Sequence, residues 1–375
     1  MQVDAPVSAD EADVPTTFPC SQCGADLEFR PGSDAMKCPY CGHHESIAVD
    51  QAPIVEYDLQ SGLQAMRRAP AGQLAEGGKV VQCQGCGAVA TVTTQADRCA
   101  FCDSPTIVEA NGNEEVFVPE SLLPFVVDER AAREAFKTWA GKLWFAPSNL
   151  KKRARTELID GVYLPYWTYD STTRTKYRGK RGEYYYTTQS YTDANGRRQT
   201  RRVRHTRWYP ASGTVTVPFD DVLICASQSL PRPLVDKLEP WDLAGLRAYT
   251  PAYLSGFIAE RYAVDLEQGF SLAEQRMEPR IRAEIRSDIG GDTQMILSMN
   301  VQHHDTRFKH LLLPVWISSY RFDNKVYRAI VNARTGEVAG ERPWSWAKII
   351  LAVVAVAALI TAVFFFVRYR MGGFS

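Results

Sequence analysis

Arg174-Thr-Lys-Tyr-Arg-Gly-Lys-Arg-Gly-Glu-Tyr-Tyr-Tyr-Thr-Thr-Gln-Ser-Tyr-Thr-Asp-Ala-Asn-Gly-Arg-Arg-Gln-Thr-Arg-Arg-Val-Arg-His-Thr-Arg-Trp-Tyr209 is the stretch that sets the fold class. Asp193-Ala-Asn-Gly196 is a turn signal at its middle, so the reading is two long strands joined as a hairpin. Eleven Lys or Arg residues fall within it, against Glu183 and Asp193 alone. Tyr177, Tyr184, Tyr185, Tyr186, Tyr191, Trp208 and Tyr209 interleave with them. Three readings fit such a ribbon. It is a solvated hairpin whose arginines cover tyrosine rings. It meets anionic headgroups or a protein partner at a membrane surface. Or it pairs with the phosphates of a nucleic acid and stacks its bases.

Around the ribbon the pattern alternates between strands and helices. Gly161-Val-Tyr-Leu-Pro-Tyr-Trp-Thr-Tyr-Asp170 reads as an aromatic strand, as do Val116 to Val127 and Gly213 to Ser227. Gln294 to His303, Leu311 to Phe322 and Lys325 to Asn332 follow, with Asp323-Asn324 and Arg334-Thr-Gly336 as turns. A helix opens at Asp128, with Phe136, Trp139, Ala140 and Leu143 at i, i+3, i+4, i+7. A second opens at Asp265, with Leu266, Phe270, Ala273 and Met277 on one stripe; Pro279 is expected to kink or split it. Leu164-Pro-Tyr-Trp-Thr echoes Leu313-Pro-Val-Trp-Ile, and each follows a helix that opens near a Val-Asp pair. The echo raises the expectation that the body is two related α+β units. Cys225, within Val-Leu-Ile-Cys-Ala, reads as a buried, inert thiol.

Upstream, eight of the nine cysteines form two repeats. Cys20-Ser-Gln-Cys23 and Cys38-Pro-Tyr-Cys41 are separated by fourteen residues, Cys83-Gln-Gly-Cys86 and Cys99-Ala-Phe-Cys102 by twelve. A CxxC turn aims two thiolates at one metal, and two such turns complete a tetrahedron, so each unit is expected to hold one structural zinc ion. Gly24, Gly42 and Gly87 follow the second cysteine of their pairs, where the turn needs positive φ; Asp103 takes that place in the fourth. His43 and His44 read as solvated imidazoles, since four cysteines already close the first site. The order of His43-His44-Glu45 and Pro19-Cys20-Ser-Gln-Cys23 is the reverse of the deaminase signature.

Ile349 to Val367 is nineteen residues long, carries Thr361 as its one weak polar group and has no charge. As a helix it spans roughly 28 Å, about the hydrocarbon thickness of a bilayer. Trp344, Trp346 and Tyr369 sit at its ends, and Lys348, Arg368 and Arg370 bracket it. The N-terminal residues Met1 to Thr17 include acids but no base and no apolar run, unlike a signal or transit peptide. The expectation is a single-pass protein of a bacterial inner membrane with its bulk in the cytoplasm, although Arg368 and Arg370 run against the positive-inside tendency.

The resulting division is 1–17 disordered, 18–50 first ribbon, 51–78 linker, 79–110 second ribbon, 111–343 α+β body with hairpin 174–209, 344–370 anchor and 371–375 tail. Lys plus Arg equals Asp plus Glu at 43 each, so net charge draws the whole molecule to no polyanion; only local patches can. No P-loop, nucleophile elbow, zincin helix or dinucleotide fingerprint occurs. His303, His304, Asp305 and His310 flank a strand and read as a polar strand end rather than a metal site. No catalytic residue is expected.

The ribbons, the hairpin ending in Thr206-Arg-Trp-Tyr-Pro-Ala-Ser-Gly213, Leu312-Leu-Pro-Val-Trp-Ile317, Val331-Asn-Ala-Arg-Thr-Gly-Glu-Val338, Gly340-Glu-Arg-Pro-Trp344 and the terminal span occur together. In this the chain resembles a bacterial family of membrane-anchored zinc-ribbon proteins, often labelled as carrying a transcription-factor-IIB-type zinc ribbon or as primosomal-protein-N-prime-like helicases. The missing P-loop removes the helicase. The resemblance implies association with membrane-stress systems that contain phage-shock-protein-A-type relatives of ESCRT-III. It implies the role of an adaptor that recruits cytosolic partners to the membrane. The other expectation is a membrane-tethered nucleic-acid-binding protein.

Overall fold

The computed structural model describes residues 18–48, 54–67, 79–92, 98–105, 107–109, 117–146, 159–192, 194–322, 325–342 and 344–372. Residues 1–17, 68–78, 151–155 and the turn at 323–324 lie outside them. The fold is mixed α and β. Its spine is an antiparallel pair of long strands, β9 (Asp160–Thr192) and β13 (Thr293–Phe322). Around them lie β1 (Glu28–Phe29), β2 (Ala35–Lys37), β3 (His44–Ser46), β4 (Tyr57–Asp58), β5 (Lys79–Cys83), β6 (Val89–Val92), β7 (Ile107–Glu109) and β8 (Ser121–Leu122). After β9 come β10 (Arg198–Cys225), β11 (Arg247–Ala248) and β12 (Ile258–Glu260), and after β13 come β14 (Lys325–Asn332) and β15 (Val338–Gly340). The helices are α1 (Leu59–Met66), α2 (Glu129–Gly141), α3 (Arg232–Val235), α4 (Leu266–Ile289) and α5 (Trp346–Gly372).

The two echo motifs meet in the spine. Leu164 lies opposite Leu313, and the surrounding contacts repeat from one half to the other. The β9 residues Val162 and Tyr163 pair in parallel with Ile258 and Ala259 of β12, and the β13 residues Leu311 and Leu312 pair in parallel with Ser121 and Leu122 of β8. Beyond that point β9 turns to β10 and β13 turns to β14 as hairpin partners. Ala226 donates its N–H to Pro165 O and Ala333 to Pro314 O, at 2.9 and 3.1 Å. The Trp167 Nε1–H donates to Val264 O at 2.9 Å, and the Trp316 Nε1–H to Val127 O at 2.8 Å. Each tryptophan thus bonds the Val that precedes the helix cap of the other half. Asp128 and Asp265 are those caps, accepting from Ala131 N and Gln268 N at 2.7 Å each. The body is two related α+β units related by an approximate two-fold through the spine.

Alternation sorts the side chains of the spine between two faces. Tyr163, Trp167, Tyr169 and Tyr177 point to the layer that holds α2, α4 and the first ribbon. Val162, Leu164 and Tyr166 point to the layer that holds the second ribbon and Leu230 to Trp241. Several expected boundaries move. Helix α4 runs unbroken through Pro279, because Ala273, Met277, Ile281, Ile285 and Ile289 seal it to the sheet on both sides of the proline. Half of the expected linker belongs to the body. Within it β4 pairs with Arg307 and Phe308, and Gly62 lies so close to the Phe308 ring that a Cβ there would come within 2.3 Å. Of the stretch 117–127 only Ser121–Leu122 is strand. The hairpin is longer than 174–209: residues 160–170 and 213–225 continue the same two strands.

His310 is fully buried between Trp167 and Tyr262, with Nδ1 3.0 Å from Phe117 O. Burial pulls its pKa down to about 4, with the Phe117 bond opposing. An imidazole that resists protonation when folded makes the unfolded chain the stronger proton binder between pH 6.5 and 4. Stability is therefore complete above pH 6.5 and falls by up to about 3 kcal/mol as pH drops to 4. Replacing His310 with Gln is expected to reduce that acid-side slope in thermal unfolding of the detergent-solubilised chain. Trp167→Phe and Trp316→Phe should each cost about 1–3 kcal/mol, because each leaves one backbone carbonyl, that of Val264 or Val127, without its indole donor. Unequal losses, with one near zero, would contradict the matched roles.

Candidate metal centres

The first site sits on the three-stranded sheet β1-β2-β3, the second on the β5-β6 hairpin. In each, a knuckle closes when the residue after the second cysteine donates to the carbonyl of the first. Gly24 N to Cys20 O, Gly42 N to Cys38 O, Gly87 N to Cys83 O and Asp103 N to Cys99 O measure 2.9, 3.1, 2.8 and 2.8 Å. All four donors have positive φ, 76°, 76°, 80° and 57°. Aspartate is among the few residues with a side chain that visit this region. The Arg98 guanidinium lies 3.3 Å from the Asp103 carboxylate and 2.9 Å from that of Asp160, tying the fourth knuckle to the start of β9.

The structure brings the eight predicted cysteines together four by four: Cys20, Cys23, Cys38 and Cys41, then Cys83, Cys86, Cys99 and Cys102. Sulfurs approach across knuckles at 3.6 Å for Cys20–Cys41, 3.4 Å for Cys23–Cys38, 3.6 Å for Cys83–Cys102 and 3.7 Å for Cys86–Cys99. A disulfide needs about 2.05 Å. A tetrahedron of sulfurs about 2.3 Å from one ion has edges of about 3.8 Å, so the spacing is that of a metal cage. The Cys41 N–H, 3.5 Å from Cys38 Sγ, is the foremost cause holding that thiol down at about 6. The Cys99 thiol is the foremost cause holding Cys86 at about 5. Each site therefore offers one ready thiolate to begin capture. Two groups of four cysteines can each hold a metal ion; a four-thiolate shell is closed, which suits a structural and not a catalytic role.

Sequence spacing missed how the ribbons are built in. The first ribbon docks by Phe29 N to Ser255 O and Gly32 N to Phe125 O, at 3.1 and 2.8 Å, and by the Tyr253 hydroxyl to Asp34 at 3.0 Å. The second is no separate bead. Its β6 pairs with β12, and Phe101 is buried where the Ser319 hydroxyl donates to Ala100 O and Arg328 to Phe101 O, at 2.9 and 2.7 Å. His43 Nε2 sits 3.1 Å from Ser21 Oγ and 3.6 Å from Glu45, outside the sulfur cage. His303 faces Ser171 and Glu274, and His310 is core; among the described residues they join no metal group. Cys225 is buried beside Tyr166, with burial raising its thiol to about 12, as an inert cysteine should be.

At the other end of the chain, α5 is long and apolar enough to cross a membrane, and no part of its span from Trp346 to Arg368 is buried. It is rooted by Ser345 N to Phe145 O and Lys348 Nζ to Ala146 O, at 2.8 and 2.7 Å.

The chain is similar to the uncharacterized protein YdjG of Bacillus subtilis (strain 168), with 25% identity over 264 residues covering 68% of this chain and 72% of that protein. No family model and no solved structure matches.

Cys38→Ser is expected to lower bound metal from two ions per chain to one, read by elemental analysis of the purified protein. The first ribbon should become protease-sensitive, because the metal supplies much of the folding free energy of so small a sheet. Two ions retained would disprove the assignment.

Proposed function

We propose that this protein is a membrane-anchored adaptor, without enzymatic activity, whose zinc ribbons and body organise soluble partners at the cytoplasmic face of a bacterial inner membrane. The observation that carries the reading is the bare apolar helix α5 rooted on a body into which two closed four-cysteine sites are packed. A helix with apolar side chains on every face is unstable in water and stable in hydrocarbon. Closed thiolate sites stiffen the surfaces around them and leave no coordination position for a substrate. The ions are read as zinc, since four-thiolate tetrahedra suit it, and the site does no redox work in this role. The resemblance to zinc-ribbon proteins of membrane-stress systems points to phage-shock-type, ESCRT-III-like scaffold proteins as the partners.

Crosslinking in native membranes, mild extraction and mass spectrometry of what co-purifies test this. Coiled-coil or membrane-scaffold proteins are expected, unaffected by nuclease and lost when α5 is deleted. Recovery of the full chain in the soluble fraction after carbonate washing, or of no partner at all, would refute the adaptor.

A further inference from the structure

Beyond Gly182 the spine loses β13, and β9 and β10 continue alone. Register places the side chains of this arm on two faces. One face carries Tyr177 and Gly179 under α4, then the Arg181–Glu183 ion pair at 2.9 Å. Among the described residues nothing covers the other face. On it Arg174, Lys176, Arg178 and Lys180 follow one another at every second position of β9, all exposed. Their repeat is on the order of 7 Å. Their neighbours across β10 are Thr216, Thr214, Ser212 and Pro210, and across β13 Gln302, Asn300, Ser298 and Met295. None of these neighbours is acidic, and none of the four cations has an ion pair or a ring partner among the described residues.

The same face continues into the two-stranded arm. Arg198, Arg202 and Arg204 stand on β10, facing Thr192, Thr188 and Tyr186. The Arg202 and Arg204 guanidinium groups lie over the rings of Tyr186 and Tyr184, 4.5 and 4.4 Å from their centres. Trp208, 38% exposed, lies across Gly182, where a Cβ would touch its ring at 3.0 Å. Near this face the acid Asp292 is spent on the Tyr184 N–H at 2.6 Å. Among the described residues this face thus carries seven cations and three rings, with Asp292 at its border and no ion pair to any of the seven.

We infer that this face binds single-stranded nucleic acid, its backbone along the Arg174–Lys180 file and its bases on the Trp208 and arginine-capped tyrosine platforms. A single file of cations spaced like the successive phosphates of an extended strand, flanked by hydroxyl and amide groups, suits a linear polyanion. Guanidinium planes already stacked on tyrosines offer a second stacking surface to a base. A lipid surface is disfavoured by position. Helix α5 is rooted beside Ala146, which packs against Tyr327 where β13 and β14 turn, at the opposite end of the spine from the arm. Along β9 the Arg174–Lys180 file lies roughly 50–65 Å from that end. The basic face also lies on the opposite side of the sheet from α2, which leads into Ala146. This inference stands apart from the adaptor reading and survives its failure.

The test uses the full chain in nanodiscs of phosphatidylcholine, with a fluorescein-labelled 20-nucleotide oligothymidylate and anisotropy at rising salt. Binding should weaken with salt. The variant Arg174→Gln/Lys176→Gln/Arg178→Gln/Lys180→Gln should bind at least about tenfold more weakly and lower the log–log salt slope by about 3. Trp208→Ala should weaken binding about tenfold without altering that slope. A control with Arg130, Lys142, Lys237 and Arg286 changed to Gln removes as many charges elsewhere and should bind like the wild type. Unchanged zinc content and melting temperature guard against unfolding. Three results would overturn the inference: no binding at 50 mM salt, equal losses in the control, or equal affinity for polyglutamate of matching length. So would binding to phosphatidylglycerol vesicles with none to the oligonucleotide, which would make the face a membrane surface.

Discussion

The pairing of β9 with β13 is the constraint on which the rest depends. It joins residues more than a hundred positions apart and brings Leu164 opposite Leu313. Every further strand of the large sheet attaches to one of these two, directly or through a neighbouring strand. Because side chains alternate, a one-residue slip would turn Tyr163, Trp167 and Tyr169 from the helix-bearing layer into the other. Register is held against this by the two indole bonds that cross between the halves, which only one alignment can make. The metal sites then depend on the spine too, since each ribbon docks on segments whose positions the spine fixes.

A change of character along the spine marks where core gives way to extension. At Asp170 both neighbouring strands carry a bulge, with Asp221 and Asp305 at φ 50° and 51°. Here the buried Lys309 meets Asp221 and Glu56, at 2.7 and 3.0 Å, and the Asp221 N–H donates to Asp170. On the core side of this polar belt the sheet is covered on both faces; on the far side, among the described residues, only α4 covers it. Bulges bend and twist a strand, so this is also where the extension is re-aimed.

Much of the candidate site could be read in advance because it is local. A knuckle is complete within five residues, and Gly24, Gly42 and Gly87 declared its backbone. The caps at Asp128 and Asp265 and the apolar span were legible for the same reason. The Leu-Pro-aromatic echo was legible as a likeness, while its meaning, a two-fold with crossed tryptophan bonds, needed the partner half. Strand lengths were hidden. The expected strands stopped at 209 and resumed at 213, whereas β10 runs on through Pro210 and Pro218; Gly179 and Gly182 make room for Met295 O and the Trp208 ring, and the described residues pair β10 with β9 alone. Helix α1 was lost in a polar stretch because eight residues carry too little pattern. That the arm has one acid-free face followed from register and could not follow from counting arginines.

The order of the spine along the chain has a consequence for how the molecule is made. β9 and β10 are synthesised together and can close as a hairpin at once, but β13 begins about a hundred residues after β9 ends. Until then the inner edge of a 33-residue strand stands open, an invitation to pair with another chain. The file Arg174, Lys176, Arg178 and Lys180 lies along that waiting strand, and like charges brought face to face repel. The cations that give the finished arm its character also guard the nascent one against aggregation.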